Sequence, residues 1–155
     1  MTTICFKSND PNENVVLAAD EVCTSLSPVL MPVHRGSTSL VRAQVLQKLR
    51  QLGWSSACRI DRERRLRIGG IRDGTGACVQ TGNVARLYAD LLKLESSYRQ
   101  RQIKAALYLV PTKHLARVLG QNLAYYERVL NELPSYREIL TMPMIIIGFD
   151  LEEVR

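Results

Sequence analysis

Apolar positions divide the chain into stretches of two different periods. From Thr38 onward Val41, Val45, Leu49 and Leu52 recur at helical spacing, with Ser37, Thr38 or Ser39 placed to cap the start and Gly53 to stop the run. The stretch "NVVLAADEVCTSL" from Asn14 reads as another helix, preceded by a short strand within residues 2–7. Between the two helices, "SPVLMPVHRGSTS" carries Pro28, Pro32 and Gly36 and interrupts regular structure. After Trp54 the period shortens: "ACRID", "RRLRIGGI" and "GACVQ", separated by charged or glycine-containing turns, predict a meander of three strands. Asn83 then caps a helix with Val84, Leu87, Tyr88, Leu91 and Tyr98 along one face. "IKAALYLVP" predicts a buried strand ended by Pro111, followed by a helical region from Thr112 to about Leu133 with a break expected at Gly120. Pro134 sets off a further short helix, and "MIIIGFD" after Pro143 is a second buried strand by its β-branched content.

Strands and helices interleaved in this way predict an α/β sandwich, a mixed central sheet flanked by helices. The length of 155 residues, 46% hydrophobic and 23% charged, suits one core, so a single domain over 1–155 is expected, with its centre at about 38–150. No apolar run approaches the roughly 18 to 20 residues that span a bilayer, and "MTTICFKSND" lacks a basic segment followed by an apolar one. The expectation is a soluble, cytoplasmic protein. Cys5, Cys23, Cys58 and Cys78 are scattered without C-x-x-C spacing, which favours reduced buried thiols over zinc ligands or disulfides.

Charge sharpens the picture. Lys7 against Asp10, Glu13, Asp20 and Glu21 leaves the first 33 residues at −3, so the other 122 carry +9 of the net +6. A basic body invites an acidic polymer. Arg59, Arg62, Arg64, Arg65, Arg67 and Arg72 form the densest cluster, diluted by Asp61, Glu63 and Asp73. The planar guanidinium suits phosphate because it donates two hydrogen bonds at once, whereas the competing reading is a solvated hairpin. "GGIRDGTG" has four glycines in eight residues but no Lys-Ser/Thr pair, and so reads as turns and not as a P-loop.

The segment "IDRERRLRIGGIRDGTGACVQTGNVARLYADLLKL" resembles the BglII and BamHI group of type II restriction endonucleases, within the PD-(D/E)xK nuclease superfamily. In that group an Asp on one strand and a Glu-x-Gln or Glu-x-Glu on the next core strand precede a helix. Asp61 matches the first acid, Cys78 falls where the Glu would be, and Gln80 matches the Gln. The resemblance covers residues 38–150 as element order and Ile60–Leu94 as motif. It implies a DNA-acting protein: a Mg²⁺-dependent phosphodiesterase with a modified site, or a silent relative that binds duplex DNA. It implies metal ligands at Asp61 and Gln80, to which the spacing from Asp61 adds Glu63, a catalytic set that adds Cys78, phosphate contacts from the arginine cluster with Arg86 and Lys93, and a homodimer that acts on both strands.

Chemistry makes Cys78 the odd member. Mg²⁺ wants hard oxygen ligands; a thiol is soft, and an amide cannot take a proton as a base. Glu63, two residues from Asp61, would face the same way in an extended segment and supply a second carboxylate, whereas Asp73 between Arg72 and Gly74 has the setting of a turn residue. Three readings of Cys78 stay open: core packing, a degenerate metal centre, or a nucleophile needing a base, for which His34 and His114 are the histidines. A second class of function, a protein-interaction module, would use the acidic N-terminal segment or Tyr125 and Tyr126.

Overall fold

The computed structural model describes residues 4–8, 11–27, 30–61 and 63–153. Helix starts follow side-chain chemistry. Asn12 opens α1 (Glu13–Leu26), accepting a hydrogen bond from the Val15 N–H at 3.1 Å, and Val15, Ala19, Val22 and Leu26 form its buried stripe. The helix α2 (Thr38–Gln51) buries Val41, Val45 and Leu49. Asn83 caps α3 (Val84–Arg99) through the Ala85 N–H at 2.8 Å, and Leu87, Leu91 and Leu94 face inward.

The sheet has five strands: β1 (Ile4–Ser8), β5 (Gly70–Arg72), β6 (Thr75–Val79), β7 (Ala105–Pro111) and β8 (Met144–Phe149). Their spatial order is β1-β8-β7-β6-β5, in which β6, β7 and β8 run parallel and the two edges are antiparallel. Alternation along β7 divides the interior. Leu107 and Leu109 join Val15, Val22, Val41 and Val45 of α1 and α2 on one face, while Ala106, Tyr108 and Val110 join Leu87 and Leu91 of α3 on the other. Two short pairs complete the molecule: β2 (Leu30–Met31) with β9 (Glu152–Glu153), and β3 (Cys58–Asp61) with β4 (Leu66–Ile68). Among the described residues no helix is long and apolar enough to cross a membrane.

Three expectations change. The stretch from Arg64 to Ile71 holds two strands, because Gly69 parts β4 from β5, and only β5 joins the main sheet. The helical region after Thr112 is α4 (Lys113–Leu119), an irregular link past Gly120, and α5 (Tyr126–Glu132). Pro134 sits inside a 3-10 turn, Leu133–Tyr136, that continues α5, and no separate helix follows it. Asp73 and Gly74, both at positive φ (49° and 77°), form the tight link between β5 and β6, the turn role read for Asp73 from its neighbours.

Candidate nucleic-acid interface

The last residue of β6 leads through Gln80, Thr81 and Gly82 into α3, and this link is tied from several sides. The Gln80 N–H donates to the Leu109 carbonyl at 2.9 Å, the Thr81 hydroxyl to the Thr38 carbonyl at 3.1 Å, and the Ala124 N–H to the Gly82 carbonyl at 2.9 Å. Between it, the first turn of α2 and the first half of α3 lies a cleft of about 450 Å³. Arg42, Gln80, Arg86, Asp90 and Lys93 supply its functional side chains. Neither α2 nor α3 has an acidic residue in its first turn, so the positive ends of both helix dipoles stand uncompensated beside the cleft.

Inside the cleft the polar groups are already partnered. Gln80, 5% exposed, donates from Nε2 to Asp90 Oδ2 at 2.6 Å and accepts on Oε1 from the Gly82 N–H at 2.7 Å. Lys93 Nζ meets Asp90 Oδ1 at 3.1 Å. Arg42 Nε donates to the Val79 carbonyl at 3.2 Å. Arg86 makes no ion pair among the described residues, and its guanidinium lies beside Gly82.

Cys78 points away from solvent, 4% exposed among Ile60, Leu87, Leu91 and Tyr108. Burial pushes its thiol up to about 12, and the nearby Asp90 carboxylate adds to the effect. Burial thus favours its protonated form and disfavours the thiolate that nucleophilic chemistry requires.

The strand that adjoins β6 on the other side is β5. Its register pairs Gly70 with Ala77 and Ile71 with Gly76, and the ladder ends there, before Gly69. The Gly69 N–H donates to the Ala77 carbonyl at 2.8 Å. A Cβ at Gly69 would lie 2.9 Å from that same oxygen, and one at Gly70 would lie 2.5 Å from the Ser55 carbonyl. A side chain at Gly69 or Gly70 would therefore require a backbone shift.

Asp61 and Glu63 belong elsewhere. Asp61 ends β3, in the separate two-stranded ribbon, and accepts from the Arg64 N–H at 2.7 Å and from its guanidinium at 2.9 Å. The Arg64 N–H first, and its guanidinium next, hold the Asp61 carboxyl below the usual range. Glu63 is exposed in the turn and not in an extended segment, so the alternation that would align it with Asp61 does not apply. The Ile60 carbonyl accepts from Gln102, just past the end of α3, whereas Gln80 meets Asp90 in its first half. The helix from Asp90 to Arg99 separates these contacts, a rise of about 14 Å. Asp61 and Glu63 are thus not brought together with Gln80, and among the described residues no three His, Cys, Asp or Glu side chains gather for a metal.

The arginine cluster divides in the same way. Arg62 lies outside the described residues. Arg72 is a structural cation, bonded to Glu21 at 2.7 Å and to the Leu52 carbonyl at 2.8 Å. Arg59 and Arg67 are exposed and directly opposite each other across β3–β4, and with Arg65 they have no acidic partner among the described residues. His34 bonds the Arg35 carbonyl, and His114 faces Asp150, so neither is shown at Cys78. Sequence reasoning missed Arg42 and Asp90. Their signal was faint: a cation in the first turns of a helix without acids, and an acid three residues before Lys93.

Three parallel central strands with antiparallel edges and helices on both faces define the restriction-endonuclease class of α/β protein. The solved structure of restriction endonuclease BglII complexed with a DNA 16-mer is similar over 100% of this chain and 81% of that one, with a TM-score of 0.82 and 16% identity. Free BglII is similar over 100% and 82%, with a TM-score of 0.71 and 18% identity. The family model for restriction endonuclease BglII/BglIII matches residues 17–149, and the chain belongs to that family of DNA-acting proteins. Comparison with curated protein sequences finds no match. Restriction endonucleases of this family are generally Mg²⁺-dependent.

Proposed function

We propose that the protein binds duplex DNA through its phosphate backbone and does not hydrolyse it. The observation that carries the reading is the Arg59–Arg67 pair. Like charges placed directly across a ribbon repel, and neither has a counter-ion among the described residues, so a polyanion is the ligand that relieves them. A two-stranded ribbon also has the width to approach a duplex groove. Membership of the BglII/BglIII family supports DNA as that polyanion. The same reading includes a homodimer, which the family resemblance implies for engaging both strands. It also includes a cytoplasmic location, to which the free thiols of Cys58 and Cys78 are suited.

Mg²⁺ fits these residues poorly. It requires several hard oxygens in octahedral array, and the cleft offers one carboxylate, Asp90, with both oxygens already engaged by Gln80 and Lys93. Cys78 is buried and offers a soft thiol in place of a carboxylate. The second reading keeps hydrolysis, with Asp61, Glu63 and Gln80 drawn together around Mg²⁺ when DNA binds; membership of the BglII/BglIII family favours it.

Duplex binding and cleavage, measured for wild type, Asp61→Ala and Cys78→Glu with and without Mg²⁺, separate the two. The expected result is binding whose log affinity falls linearly with log salt, and no cutting by any of the three. Cutting by wild type that disappears in Asp61→Ala establishes the second reading. Absence of binding at low salt removes DNA as the partner.

A further inference from the structure

We infer that the cleft between α2 and α3 holds a phosphodiester group with the chain's own cations, Arg42 and Lys93 doing the work a divalent ion would do elsewhere. The inference rests on the duplex-DNA reading for the source of that phosphate, and on the cleft alone for its chemistry.

Four oxygens of the cleft that could serve a metal already accept hydrogen bonds or an ion pair. The Val79 carbonyl, between Cys78 and Gln80, takes its hydrogen bond from Arg42. Gln80 Oε1 takes one from Gly82, and the two Asp90 oxygens take theirs from Lys93 and Gln80. A dication approaching these atoms meets a guanidinium and an ammonium first. Arg42, Arg86 and Lys93 against Asp90 leave the cleft at +2, and the starts of α2 and α3 add partial positive charge. Such a site suits a singly charged phosphodiester, which needs hydrogen-bond donors and has no use for further acceptors.

The donors come from different elements held in fixed relation. Arg42 lines the cleft and is anchored by its Nε to the Val79 carbonyl, with no hydrogen bond at the outer nitrogens of its fork among the described residues, and Lys93 is oriented by Asp90. Asp90 thereby acts as a positioning residue for both Lys93 and Gln80 while lowering the net charge of the site. The cleft volume of about 450 Å³ exceeds what one phosphate group with its flanking sugars requires to enter partway.

The test uses fluorescence anisotropy of a labelled duplex with the whole chain, in EDTA and in Mg²⁺. Wild type is expected to bind at least as tightly in EDTA as in Mg²⁺. Arg42→Gln and Lys93→Gln are each expected to weaken binding about tenfold at moderate salt and to lower the slope of log affinity against log salt by about one. A second measurement avoids DNA: inorganic phosphate in EDTA should raise the Tm of wild type and leave that of the Arg42→Gln/Lys93→Gln double variant unchanged, at equal starting fold by circular dichroism. Binding that EDTA abolishes overturns the inference. So does duplex binding that both single variants retain while Arg67→Gln weakens it, a result that leaves the DNA reading standing. Failure to bind duplex at low salt with a phosphate-dependent rise in Tm ends the DNA reading and keeps the cleft; no rise in Tm ends the cleft.

Discussion

Cys78 sits among Ile60, Leu87 and Tyr108 with its proton held firmly, and this has a thermodynamic consequence. Its folded-state value of about 12 lies above the unfolded value near 9, so the protonated thiol favours the folded chain. That contribution is complete below about pH 9 and drains away as pH climbs toward 12, at about 1.4 kcal/mol per pH unit. Tyr108, raised by the same burial, pulls in the same direction, so the comparison must isolate the thiol. Denaturant unfolding at about pH 8.5 and pH 10.5 is expected to show a smaller alkaline loss for Cys78→Ala than for wild type. In native protein, half-buried Cys58 should alkylate well before Cys78, as mass spectrometry of labelled peptides would show. Equal labelling rates would mean that β6 opens more readily than its burial implies.

At the scale of elements, α3 does more than cover the sheet. Glu95, 4% exposed near its C-terminal end, accepts from the Thr141 and Met142 N–H groups at 2.9 and 3.0 Å, from the Thr141 hydroxyl at 2.7 Å and from Arg99 at 2.8 Å. It thus pins the chain just before β8 to the helix. Burial alone would push the carboxyl up; the hydrogen bonds from Arg99, Thr141 and Met142 outweigh it and hold it below the usual range. A depressed value means stabilisation present at neutral pH and lost as pH falls through the acid range. Glu95→Ala strands two main-chain donors, at a cost of about 3 kcal/mol in urea unfolding, whereas removal of the exposed Glu138 carboxylate should cost little.

The same helix shows how far sequence could lead. Its cap, its inward face and its place after β6 are local properties, visible in Asn83 and in the spacing of Leu87 and Leu91. The buried strands β7 and β8 were visible as unbroken apolar runs. Strand partnership is not local, and so the ribbon β3–β4 looked like part of the main sheet, with Asp61 on the strand next to Cys78. The cleft was hidden for the same reason. Arg42 reaches a carbonyl 37 positions away, and nothing near either residue announces the meeting.

For the whole molecule, the excess charge beyond residue 33 makes salt the main lever on binding. If the ribbon and the cleft, spaced along α3, together engage about five phosphates, log affinity should fall with log salt at a slope of about −4 to −5 in an anisotropy titration. A flat dependence would remove the backbone-contact account. The ribbon has a further consequence, in the time domain. The ladder of β3–β4 is separate from that of the five-stranded sheet, so the pair can part without breaking the sheet's hydrogen bonds, at the cost of drawing Ile60 and Ile68 out of the core around Cys78. Arg59 facing Arg67 makes that parting easier. Amide deuteration of the free protein should therefore catch the ribbon exchanging by brief local opening, while β7 and β8 exchange only on global unfolding. A bound polyanion should slow the first clock far more than the second.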